Sequence, residues 1–133
     1  MVPRLFDELL NQGRWDKASE ILLPTFIVHY PTGDRDLQGF KEMVNTIRDA
    51  FPDLRYTIDD MFANPNKAGV RWTATGTHKD TFMGVPATGR QVTVKGNDLF
   101  RADGGKLAEA WVSSDFLGLF MQLGAFPPLP PAE

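Results

Sequence analysis

Apolar residues along this chain change their spacing once, and the change divides a helical first part from a β-rich second part. Leu5, Phe6, Leu9 and Leu10 share one helical face, with Gly13 placed to end that short helix. Trp15, Ala18, Ile21 and Leu22 form a second helix that Pro24 is expected to stop. A β-rich stretch over 25–30 leads into a turn at Pro31-Thr32-Gly33-Asp34, and Asp36 stands where a helix N-cap is needed. Leu37, Phe40, Met43, Val44, Ile47, Ala50 and Phe51 then recur three and four apart, the stripe of an amphipathic helix ended by Pro52.

Beyond Pro52 the period is two. Leu54, Tyr56 and Ile58 alternate with polar residues, and an Asn64-Pro65-Asn66-Lys67 turn leads to Val70, Trp72, Ala74, Gly76 and His78, whose neighbours are Arg71 and three threonines. A Gly/Pro-rich loop over 79–90 separates these from Val92, Val94, Gly96, Asp98 and Phe100, again alternating. Asp103-Gly104-Gly105 forms a hairpin turn into a last strand over 106–114. A short helix over 116–123 and a Pro-rich tail from residue 125, extended over 126–132, complete the pattern. Helices followed by four successive antiparallel strands indicate the α+β class and a single domain over 1–124. Strands that close only part-way over one helix form a bent sheet whose mouth is a natural ligand site. Gly76 and Gly96, inside strands, are the expected bends.

Composition narrows the chemistry. The 133 residues include no cysteine, which excludes thiol nucleophiles and thiolate metal sites, and the net charge of −3 comes with Lys and Arg scattered singly, so no nucleic-acid partner is expected. The two histidines, His29 and His78, are far apart and belong to no close ligand spacing; no metal and no cofactor are expected. The N-terminal residues lack a signal-peptide pattern and no segment approaches the roughly 20 apolar residues of a membrane span, so a cytoplasmic protein that does not enter membranes is expected.

Three polar residues stand out. Asp98 shares the face of Val92, Val94 and Phe100; it is either a strand-end residue or an inward-facing carboxylate that must be paired, solvated in a pocket or raised in pKa. His78 ends an apolar face where the loop begins, either at a pocket rim or as a structural histidine bonded to that loop. Asp115 follows the last strand and precedes a helix, which fits an N-cap and, compatibly, an ionised base facing the sheet's mouth. Trp72, Phe82, Phe100, Trp111 and Phe116 are candidate pocket walls, with ordinary core packing as the alternative for each.

Ordered blocks along 15–124 carry a resemblance. Ala50-Phe51-Pro52-Asp53-Leu54-Arg55-Tyr56, Gly76-Thr77-His78, Phe82-Met83-Gly84-Val85-Pro86-Ala87-Thr88-Gly89-Arg90, Asp98-Leu99-Phe100-Arg101, Asp103-Gly104-Gly105-Lys106-Leu107 and the close from Trp111 to Asp115 with Gln122-Leu123-Gly124 resemble the SnoaL-like polyketide ester cyclases. The resemblance implies an NTF2-like cone, usually homodimeric, that binds an apolar polyketide ester and closes a ring by intramolecular aldol condensation without metal or cofactor. It implies Asp115 as the general acid/base, with Asp98 and His78 in the pocket and His29, in His29-Tyr30-Pro31, among the binding residues. Ala110 and Asp80 depart from the family pattern, where histidine and glycine are common. Three functions follow from these residues: aldol closure by Asp115 with the new oxyanion protonated by Asp115 or His78, epoxide opening or pyran formation by an Asp98–Asp115 pair, and ligand binding without turnover.

Overall fold

The structure, a computed structural model, describes residues 1–125; the Pro-rich tail expected beyond them lies outside the described residues. The chain opens with one α-helical turn, α1 (Val2–Arg4), which continues as a π-helix over Leu5–Asn11 and turns at Gly13, where φ is 65°. Its apolar face, Leu5, Phe6, Leu9 and Leu10, is buried as the spacing requires. A 3₁₀ turn (Trp15–Lys17) runs into α2 (Ala18–Ile21).

The second helix ends earlier than expected. Leu22 already belongs to strand β1 (Leu22–Tyr30), and Pro24 lies inside that strand. Its missing N–H is tolerated because the pairing of β1 is irregular between Leu22 and Ile27. The residues expected to form only a turn instead lead into a short strand, β2 (Gly33–Asp36), paired antiparallel with β1. Asp36 then caps α3 (Leu37–Ala50), its Oδ1 accepting from the Gly39 N–H at 2.9 Å.

Strands β3 (Arg55–Ala63), β4 (Lys67–Thr77), β5 (Gln91–Asp103) and β6 (Lys106–Ser114) form the expected antiparallel meander, and Gly104 and Gly105 make the last hairpin with φ of 58° and 83°. The full sheet has the order β2-β1-β6-β5-β4-β3, so β1 joins β6 in parallel, a pairing that the local pattern does not show. The sheet is curved and unclosed, in the α+β class with helices at its N-terminal side, and α3 covers its concave face. The pairing of β4 with β5 runs unbroken through Gly76 and Gly96, and the register shifts among β3–β6 fall at Ile58/Asp60 and Arg101/Ala102. Side-chain amides take up backbone groups that lack a strand partner: Asn11 bonds both the N–H and the carbonyl of Tyr56 on the edge strand β3, and Gln122 does the same for Thr93, on β5 beyond the end of its pairing with β6. No helix among the described residues is long and apolar enough to cross a membrane.

Candidate active site

A cavity of about 760 Å³, counted into its open mouth, lies between the concave face of the sheet, α3 and the last helix, α4 (Phe116–Gln122). The α3 stripe supplies Phe40, Val44 and Ile47, and the sheet supplies Tyr30, Tyr56, Trp72, Val94, Asp98, Val112 and Ser114. Each strand residue is placed by its period-two phase: Asp98 faces inward with Val92, Val94 and Phe100, as the alternation required. Among the residues lining the cavity, Asp98 is the only one with a formal charge, and none is Lys, Arg or His.

Asp98 is 6% exposed, and desolvation pushes its pKa up from 3.8 to about 6. Two N–H groups oppose that rise. The indole of Trp72 favours the ionised carboxylate, although its buried Nε1 stops short of hydrogen-bond geometry with any described group; the Ser113 N–H reaches Asp98 Oδ1 at a long 3.4 Å. Tyr30 and Tyr56 share the cavity. Burial and the Asp98 charge both raise their pKa values, burial the more in each case, so they remain protonated donors, and neither hydroxyl is held by another described group. Both tyrosines were legible as lining: Tyr30 shares the phase of buried Phe26 and Val28, and Tyr56 that of Leu54 and Ile58.

The structure divides the remaining candidates. Trp72, Phe82 and Phe116 line the cavity with Asp98. Phe82 is brought there by the 79–90 loop, where Phe82 and Val85 exchange backbone bonds around Met83 and Gly84, both with positive φ. Phe100 points inward but lies deeper, edge-on to Phe6 in the core. Trp111 is out of phase with inward Ala110 and Val112, so it lies on the convex face, where it stacks on His29 at 5.3 Å. His29 there holds Asp34 at 2.7 Å and Glu109 at 2.5 Å, and these carboxylates, Glu109 the more, raise its pKa.

His78 is fully buried outside the cavity lining, stacked on Phe51 at 5.3 Å. Its Nδ1 accepts from the Thr88 N–H at 3.2 Å and its backbone pairs with Arg90 and Gly89, so it pins the 79–90 loop to the end of β4. Asp115 is exposed and caps α4, accepting from the Gly118 N–H at 2.8 Å, and is not among the cavity-lining residues. Thus the geometry gives the cavity one carboxylate, Asp98, and not the Asp98–Asp115 pair. Among the described residues, no group of three or more His, Asp and Glu is arranged to hold a metal ion.

Solved structures share this fold. The chain resembles IdmH of Streptomyces antibioticus, assigned as a polyketide cyclase, at 28% identity and a TM-score of 0.82, over 92% of this chain and 95% of that one. A protein of Acidithiobacillus ferrooxidans, likewise assigned, is 32% identical with a TM-score of 0.82 over 92% and 91%. TsrD of Streptomyces laurentii is 30% identical with a TM-score of 0.82 over 94% and 96%. No curated protein sequence matches the chain. The family model of the SnoaL-like polyketide cyclases matches residues 1–123, essentially all that builds the sheet, α3 and the cavity, and the chain belongs to that family.

Proposed function

We propose that this protein closes a ring in a small, neutral, apolar polyketide-like ester by intramolecular aldol reaction, with Asp98 as the general acid/base. The observation that carries this reading is a single buried carboxylate, with no cation among the described residues acting on it, in a mostly apolar cavity. Ionised Asp98 takes a proton from the carbon between the ester and a ketone, and the electron pair becomes an enolate. That carbon attacks a second carbonyl of the same molecule, and protonated Asp98 returns its proton to the new alkoxide, so the carboxylate is regenerated and the product is an isomer. A pKa near 6 suits both halves of this cycle at neutral pH. Tyr30 and Tyr56 support it as donors toward the enolate or alkoxide oxygen. Asp115 holds the start of α4 and thereby places Phe116 and Leu119 against the ligand.

The test is an aromatic β-keto ester carrying a second ketone in reach of ring closure, followed by chromatography and by deuterium exchange at the acidic carbon. Asp98→Asn is expected to lower both rates by about 10²–10⁴-fold, and Asp115→Asn to leave most of the activity. Wild-type turnover by Asp98→Asn would sink the assignment.

The same reading includes a pair of identical subunits. Phe62, Leu99 and Trp111 are 74%, 55% and 41% exposed and fall in one row across the convex face, through the partners Phe62–Gly69–Leu99–Trp111. Asp60 and Arg71 flank that row, as a self-complementary surface requires. A second copy of this chain is the proposed occupant.

A further inference from the structure

Trp72 and Gly96 are direct partners across β4 and β5. A Cβ at position 96 would lie 2.2 Å from Trp72 Cζ2, 2.5 Å from Cε2 and 2.8 Å from the Ser113 carbonyl oxygen, closer than such atoms approach. The Gly96 φ is not in the left-handed region, so the backbone there does not itself require glycine. The contact does: the indole edge rests on the bare Cα. Cε2 is the atom bonded to Nε1, so seating it over Gly96 fixes the N–H as well. Asp98 is the next inward-facing residue along β5, diagonal to Trp72 across the β4–β5 pair, and both line the cavity; the indole nitrogen there is buried without a hydrogen-bond partner among the described residues, and it favours the ionised Asp98 carboxylate. Tyr56 packs on the indole at 5.0 Å between ring centres and helps hold it there. Trp72 also carries the only side-chain nitrogen among the residues lining the cavity.

We propose that Gly96 and Trp72 are a positioning pair: the missing side chain at 96 seats the indole so that its N–H is held at the Asp98 carboxylate. This rests on the reading of Asp98 as the acid/base, but its test needs no substrate. The ionised carboxylate is favoured by the nearby donor, so losing the donor or moving it makes Asp98 harder to ionise.

The experiment is a ¹³C-carboxyl NMR titration of Asp98 in the full-length, ligand-free protein, with the resonance assigned through Asp98→Asn. Trp72→Phe keeps the ring and removes the N–H; Gly96→Ala keeps the N–H and displaces the ring. Each is expected to move the Asp98 midpoint upward by about 0.5–1 pH unit. In the double variant, Gly96→Ala is expected to add nothing to Trp72→Phe, because its effect runs through the indole. An unmoved midpoint in Trp72→Phe overturns the proposal, as does an undiminished effect of Gly96→Ala in the Trp72→Phe background. Should Gly96→Ala not fold, Trp72→Phe alone decides. In turnover assays the acid limb of the rate profile is expected to move with the midpoint. If the midpoint moves while Asp98→Asn turns over normally, the positioning pair stands and the catalytic assignment of Asp98 falls.

Discussion

Replacing Asp98 with Asn is expected to stabilise the protein at alkaline pH. An aspartate titrates at 3.8 when solvated and at about 6 in this fold, so the folded state binds a proton more tightly than the unfolded chain. Below pH 3.8 both states are protonated and the site makes no difference. Between 3.8 and about 6 the unfolded chain has lost its proton while the fold retains it, and stability falls as pH rises. Above about 6 the whole penalty for holding a buried charge is present, on the order of 3 kcal/mol. Asparagine has nearly the same shape, can still accept from the Ser113 N–H, and does not titrate. Urea unfolding of wild type and Asp98→Asn at pH 4, 6 and 8 therefore should show the variant gaining on wild type by about 1–3 kcal/mol from the first pH to the last. In thermal melts the same gain is roughly 3–10 °C for a domain of this size. The comparison between pH values removes any constant effect of the new amide group. A stability difference that does not change between pH 4 and pH 8 would refute the argument, because it would mean that Asp98 is as well solvated in the fold as outside it.

Three further outcomes follow from named contacts. His29 is raised in pKa by Glu109 and Asp34, so its clamp between β1, β2 and β6 contributes most below pH 6.5 and is lost as pH rises through the folded value; His29→Gln should flatten the pH dependence of the urea midpoint above pH 6.5. Asp115→Ala removes the cap of α4 and should cost about 1 kcal/mol in urea unfolding, whereas Asp115→Asn should cost only a few tenths. Leu99→Arg puts a charge in the centre of the exposed convex row and should convert a dimer to monomer by sedimentation velocity while the circular dichroism spectrum stays that of the wild type, and it should abolish the dependence of the urea midpoint on protein concentration; a wild-type monomer at micromolar concentration would refute the second-copy assignment.

The sequence shows which faces are apolar, and so the α3 stripe, the β3–β6 meander and both hairpin glycines were legible. It shows no partner for a strand's edge, and the parallel β1–β6 pairing depends on residues about 80 positions apart, such as Val28 and Ala110. β2 has no apolar signal because Gly33, Asp34, Arg35 and Asp36 are all exposed. Pro24 reads as a helix stop only while β1 is unseen; once β1 is irregular there, the proline is harmless to it. At the site, phase was enough to place Asp98 inward and, applied to Ala110 and Val112, would have placed Trp111 outward. Depth along a strand was not legible: Phe100 and Asp98 share a face, yet Phe6 fills the space beside one and the cavity opens beside the other.

Asp98 and Asp115 are the same residue in opposite surroundings, and that contrast is what supports the proposed division of roles between them. Asp115 is exposed and accepts from a helix N–H, so it caps α4 without a ligand. Among the described residues, Asp98 has no cation acting on it and only one long backbone bond, so the apolar walls that would hold a ligand also destabilise its charge. Under the proposed function, a neutral, apolar ligand in the cavity would sharpen that effect and so raise the drive of the carboxylate to take a proton from carbon. The stabilising effect of Asp98→Asn and its loss of turnover are therefore one prediction in two assays. A variant that gains stability with pH yet keeps its rate would show that the burial is structural coincidence; a variant that gains stability and loses the rate ties the cost of the buried charge to the reaction.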